Sequence, residues 1–110
     1  MSKYEIGRNS TENDALILKS NPLDVWFHLS DLSSAHLVYY NEYRKDLKTL
    51  RKNGTIYRMA VLLKQNMKNK LKKIGHWTET NEIVYCFIKD IRLTKIKGRV
   101  KVMKQHIIRI

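Results

Sequence analysis

The chain has one cysteine, one proline and four glycines in 110 residues, and only 10 acidic side chains against 22 basic ones. A single thiol makes no internal disulfide, and without a C-x-x-C pair a zinc ribbon is excluded. Cys86 lies inside an apolar run, so a buried, reduced thiol is expected, and with it a reducing compartment. No apolar run approaches the roughly 18 residues that cross a bilayer. The opening MSKYEIGRNS lacks the apolar core of a secretory leader. One domain over residues 1–110, cytoplasmic and off the membrane, is the expectation. Neither G-x-x-x-x-G-K-S/T nor G-x-G-x-x-G occurs, so the sequence offers no glycine-rich phosphate loop.

What is abundant is positive charge: +12 overall, with a pI near 10.0. A balance this basic points to a polyanion, and inside cells that is most often nucleic acid. Lysine also accumulates in AT-rich genomes, but that bias would spread it evenly. Here residues 1–43 carry three basic and six acidic groups, while residues 44–110 carry 19 and four, a net of −3 against +15. The asymmetry favours a real electropositive surface supplied by the second half.

Hydrophobic spacing gives an α+β order of strands, helices and strands: a small, mostly antiparallel sheet with two central helices packed on it. Tyr4 and Ile6, then Leu16 and Leu18, alternate with polar residues, which predicts an N-terminal hairpin over residues 1–19. Val25 to His28 and Ala35 to Tyr40 read as strands. Period two puts Asp24, Trp26 and His28 on one face and Val25 and Phe27 on the other. His36 opens the next strand and lies near His28 if the two strands pair. Residues 41–54 read as a helix stopped by Gly54, with Thr55 as N-cap of a second helix. In that helix Ile56, Ala60, Leu63 and Met67 form an apolar stripe, and Arg58, Lys64, Lys68 and Lys72 gather on the opposite side. Trp77 is expected against the core. Four short β-branched segments follow, the last two predicted to form a C-terminal hairpin around Lys104-Gln105-His106.

Two constellations carry possible chemistry. Asp24, His28, Asp31 and His36 combine imidazoles with carboxylates, the ingredients of a divalent-metal site or of acid–base cleavage of phosphodiesters. Their spacing matches no metal motif, and structural histidines bonded to loop backbone are the commoner case. Ser33 and Ser34 lack a base with an orienting partner. The second constellation is a set of aromatics near cations (Trp26, Tyr39, Tyr40, Tyr43 and Tyr57), on which bases can stack.

Gly7-Arg8-Asn9, Glu12-Asn13-Asp14, Leu23-Asp24-Val25-Trp26-Phe27-His28, Asp31-Leu32 and Ser34-Ala35-His36 follow one another in a fixed order. Together they resemble the signature of the NFACT-R domain. The helix from Thr55 to Met67, the run Ile83-Val84-Tyr85 with Lys89-Asp90-Ile91-Arg92, and the closing strands resemble the rest of that domain, so the likeness covers nearly the whole chain. The resemblance implies a small α+β RNA-binding unit without catalytic activity or cofactor, related to the C-terminal module of ribosome-quality-control factors. Those factors bind the large ribosomal subunit and tRNA. A stand-alone version is the expectation at this length, without the other domains of the long factors, so their tailing activity is not carried over. It departs from the family in having Ser34-Ala35 before His36, where glycine before serine is usual. It also has a shortened, proline-free loop at Thr94-Lys95-Ile96-Lys97-Gly98-Arg99.

The expected function is therefore binding of tRNA or ribosomal RNA, with the ribosome as a further expected partner. Arg8, Lys95, Lys97, Arg99 and Lys101 are the expected phosphate contacts, and Arg58, Lys64, Lys68 and Lys72 a second patch. Asn9, Asn13, Asp24, His28 and His36 are expected to shape the recognition loop and reach a base or ribose hydroxyl. The rivals are a protein-interaction adaptor, which needs the charge only for solubility, and a metal-dependent nuclease using His28, His36 and Asp24.

Overall fold

The structure is a computed structural model that describes residues 3–110. Its elements are β1 (Tyr4–Gly7), α1 (Ser10–Lys19), β2 (Val25–Leu29), β3 (His36–Tyr39), α2 (Leu47–Lys52), α3 (Thr55–Asn66), α4 (Lys68–Lys73), β4 (Glu82–Phe87), β5 (Ile91–Leu93), β6 (Val100–Val102) and β7 (His106–Arg109). A five-stranded antiparallel sheet runs in the order β1-β3-β2-β4-β7, and β5 and β6 form a separate two-stranded sheet. The α+β class holds. No described helix is long and apolar enough to cross a membrane.

The large sheet is covered on both faces, which explains why its central strands are apolar at nearly every position. Val25, Phe27, Leu29, Leu37, Ile83 and Tyr85 point to one side, where Leu50, Ile56, Met59, Ala60 and Leu63 of α2 and α3 meet them. Trp26, Val38, Val84 and Cys86 point to the other, under Leu16 and Ile17 of α1 and under Ile91, Val100 and Val102 of the small sheet. The expected stripe of α3 is buried as read, with Met59 added, and Trp77 packs against the same core.

Four local expectations are corrected. Ser10–Lys19 is a helix, not the return strand of a hairpin, and β1 pairs instead with β3. The helix begins because Asn9 caps it: its side-chain oxygen accepts from the Glu12 amide at 2.9 Å, and the Glu12 carboxylate reaches back to the Arg8 amide at 3.2 Å. Only Asn13, Leu16 and Ile17 of α1 are buried and Leu18 is 74% exposed, so the apolar pair at Leu16 and Leu18 mimics strand alternation. The helix expected over 41–54 shrinks to α2, capped by Asp46, because the Asn41 side chain bonds the backbone of Leu23 and Lys45 and holds 41–45 as a loop. Gly54, at φ 83°, takes the cap position ahead of α3, and Thr55 is the first helical residue. Finally, β6 and β7 do not pair. β6 turns onto β5 above the sheet, while β7 pairs with β4, where Ile108 packs on the α3-side core. A β6–β7 hairpin would leave the edge of β4 bare.

Candidate nucleic-acid interface

Beside the Trp26 face of the sheet lies an open groove of about 1160 Å³. Its floor is formed where β2 and β3 adjoin, with Trp26, His28 and His36 side by side and His28 the most open of the three. One wall is the start of α1, with Arg8, Asn9, Ser10 and Asn13, joined by Lys97, Gly98 and Arg99 from the β5–β6 loop. The other is loop 30–35 with Asn66, Met67, Asn69 and Lys70 from the α3–α4 junction. The acidic first half and the basic second half of the chain thus meet here.

The two walls are held by specific contacts. Asn13 is 5% exposed, and its side-chain oxygen accepts the His36 backbone amide at 3.3 Å, pinning α1 to β3. Gly7 is what lets α1 come so near: a Cβ there would stand 2.2 Å from Asn13 Oδ1. The basic loop is fastened by the Gly98 amide, which donates to Asp14 Oδ1 at 3.1 Å, 84 residues earlier in sequence. A Cβ on Gly98 would lie 2.6 Å from Ser10 Cβ, so this docking needs glycine as well. Across the groove the Lys70 ammonium donates to the Ser33 carbonyl.

On the floor, the Trp26 indole N–H donates to Nδ1 of His36 at 3.1 Å. His36 is therefore protonated on Nε2 when neutral. Burial, with His28 beside it, pushes its pKa down to about 3, so it carries no charge near neutrality. The His28 pKa is also lowered, chiefly by burial and further by Lys70, against an opposing hydrogen bond with the Leu29 backbone. The floor is neutral, and the rim carries Arg8, Lys70, Lys97 and Arg99 against one acidic residue, Asp31.

The structure redistributes the expected contact residues. Arg8, Asn9, Asn13, His28, His36, Lys97 and Arg99 all line the groove. Asn9 and Asn13 are occupied there as cap and clamp. Asp24 is not at the groove: its carboxylate accepts the amides of Asn21 at 2.8 Å and Asn41 at 2.9 Å, stapling the turn before β2. Period two predicted its face, but the residue lies outside the strand, where alternation no longer applies. With Asp24 turned away, the trio of His28, His36 and Asp24 is not assembled. Among the described residues no three His, Cys, Asp or Glu side chains come together as metal ligands.

Lys95 and Lys101 lie outside the groove lining. The expected cationic face of the second helix is divided, because the helix breaks at Met67 between α3 and α4. Arg58 bonds the Thr55 hydroxyl at 3.2 Å, and Lys64 donates to the carbonyls of Glu79 and Ile110 at 2.9 and 2.8 Å. Lys64 and Lys68 both sit over the Trp77 ring. The aromatics do not form one surface either: Trp26 is 2% exposed, whereas Tyr43 and Tyr57 are exposed elsewhere. Sequence reasoning passed over Asn66, Asn69 and Lys70. Lys70 stood among many lysines, and only the α3–α4 break turns it toward the histidines.

Neither the models of known protein families nor the curated proteins yield a match to this chain. Among solved structures, the chain is similar to the C-terminal part of the fibronectin/fibrinogen-binding protein from Streptococcus suis, with a TM-score of 0.71 and 18% identity. That likeness covers 99% of this chain and 41% of the other, and at this identity it establishes a shared fold.

Proposed function

We propose that the chain is a non-catalytic, NFACT-R-like RNA-binding module, acting on tRNA or ribosomal RNA in the cytoplasm as part of translation or ribosome-associated quality control. One observation carries the reading: four cations from three distant parts of the sequence (Arg8, Lys70, Lys97 and Arg99) converge on one groove with an uncharged, ring-lined floor. Arg8, Lys97 and Arg99 are exposed and make no side-chain ion pair among the described residues. Cations held in this way around a concavity suit a phosphate backbone, and the rings and carboxamides between them suit bases and ribose.

The test is equilibrium binding of fluorescently labelled tRNA over a range of salt concentrations, for the wild type and for Lys97→Glu with Arg99→Glu. The wild type is expected to weaken steeply with salt. The slope of log affinity against log salt should fall in the variant by about 0.7–0.9 for each phosphate contact removed. An unchanged slope and affinity would leave the charge as a solubility device only. Incubation of the same RNA with Mg²⁺ or Mn²⁺ checks the non-catalytic part: cleavage that disappears in His28→Ala would make the protein a nuclease.

A second reading, as a protein adaptor, draws on a different surface. Tyr4 and Tyr57 are 39% and 59% exposed and flank an apolar hollow with Leu62 beside β1, an edge strand. The fold neighbour is named for binding fibronectin and fibrinogen, so immobilised fibrinogen is the first protein to try. Retention that is lost in Tyr57→Lys but kept in the charge-reversed variant would favour this reading.

A further inference from the structure

The groove floor has a feature that general affinity for a phosphate chain leaves unused. Trp26 and His28 stack nearly parallel, with ring centroids 5.5 Å apart and planes inclined by 13°. His36 stands edge-on to both, at 4.9 Å from His28 and 5.4 Å from Trp26. Trp26 and His36 are 2% and 1% exposed, whereas His28 is only half-buried, so His28 is the ring that offers surface to the groove. Its position is fixed by the strand beneath it and by the two rings packed against it. An open ring held this firmly is a prepared stacking platform: little side-chain freedom remains to be lost when a planar ligand settles on it.

The surroundings fit a base better than another planar group. Burial keeps the floor uncharged, which makes it a poor seat for a phosphate or carboxylate. His36, held by Trp26 as the Nε2–H form, adds a neutral donor suited to a base carbonyl or ring nitrogen. Asn66 and Asn69 supply carboxamides on one wall, and Arg8, Lys97 and Arg99 supply cations on the other. A base in an A-form stem is stacked between its neighbours and turned toward its partner. It reaches a floor between two walls only by leaving the stack.

Resting on the RNA-binding reading, we infer that the groove receives one unpaired base, stacked on His28 as the outermost ring of the Trp26–His28 pair, with its flanking phosphates on Arg8, Lys97 and Arg99. The recognised RNA is then a bulge, loop or end, not a continuous stem.

The experiment compares three labelled RNAs: a blunt, fully paired stem, the same stem with a one-base bulge, and the same stem with an abasic bulge. The base bulge is expected to bind about tenfold or more tighter than the paired stem, the gain expected for one base stacked on an aromatic ring. The abasic bulge should lose most of that gain. His28→Ala should abolish the difference between base bulge and paired stem, and His28→Phe, which keeps a stacking ring, should retain it. Circular dichroism checks that both variants fold. As a readout independent of affinity, 2-aminopurine in the bulge should be quenched on binding to the wild type and to His28→Phe, but not to His28→Ala.

Salt-sensitive binding of equal strength to all three RNAs would overturn the stacked base and leave the RNA-binding reading standing. So would an abasic bulge that binds as well as the base. Failure to bind any of the three would overturn both.

Discussion

The docking of the β5–β6 loop onto α1 is what builds the cationic wall, and it can be tested without any ligand. Gly98 has φ 77°, its amide donates to Asp14, and its Cα faces Ser10 with no room for a side chain. In Gly98→Ala, the left-handed backbone costs about 1–2 kcal/mol. The overlap with Ser10, whose backbone Cα would be 3.0 Å from the new Cβ, adds about 1–3 kcal/mol. Asp14→Ala removes only the acceptor. A hydrogen bond to a charged group contributes about 1.5–3 kcal/mol, and the half-buried setting favours the low end. Neither loss needs to unfold the protein. Thr94 Oγ1 bonds the backbone of Ile96 and Arg99, so the loop is tied mainly to itself and can lift away as a unit.

Trypsin, which cuts after Lys95, Lys97 and Arg99, reads the undocked population when reclosing is faster than cleavage. A loss of about 1.4 kcal/mol corresponds to roughly tenfold faster cutting in this loop for Asp14→Ala. Gly98→Ala should be faster still, approaching the rate of an unrestrained loop, and the urea midpoint of each variant should fall by no more than the docking free energy lost. Loop cleavage within about twofold of wild type for Asp14→Ala would refute the docking argument. So would loop cutting no faster than cutting after Lys64 inside α3, which needs the helix to open.

Gly7→Ala should behave in the opposite way, because its clash is with the backbone of Asn13 as well as with its side chain. Overpacking together with an orphaned His36 amide should cost roughly 2–5 kcal/mol in a urea titration, and a loss below about 1 kcal/mol would contradict it. Lys64→Met should lower stability by about 1 kcal/mol, through its lost bonds to Glu79 and Ile110 with a discount for solvent exposure, and should leave RNA affinity unchanged. Stability should also depend on pH. His36 titrates near pH 6.5 when unfolded and near 3 when folded, and His28 and His106 are lowered in the same direction. Between those values the unfolded chain binds more protons, so stability falls as pH drops below 6.5, by at most about 1.4 kcal/mol per unit for each histidine. Equal urea midpoints at pH 7 and pH 5 would show that His36 is not buried in neutral form.

How much was legible depended on the range of the interactions. The stripe Ile56, Ala60, Leu63 and Met67 and the alternation Val25-Trp26-Phe27-His28 are periodic signals, and both were read correctly because each residue's burial follows from its own neighbours. The placing of His36 beside His28 also followed once the two strands were taken as a pair. The start of α1 was written locally too, in Asn9 and Glu12, but a chance alternation of Leu16 and Leu18 outweighed it. Lys64 shows the other limit: helical phase put it on a cationic face, yet its partners lie 15 and 46 residues further on.

By itself the sequence determined an α+β chain with a buried thiol, a net charge of +12 concentrated in its second half, and a polar segment from Gly7 to His36 rich in binding groups. Composition and periodicity suffice for these because they sum or repeat along the chain. Only the tertiary structure decided that Asp24 faces away from the histidines, that β7 joins β4, and that Lys97 and Arg99 stand beside Arg8. Each of these turns on a contact between residues far apart in sequence, such as Gly98 with Asp14 or Asn41 with Asp24, whose energy exists only once the sheet has brought both partners into range.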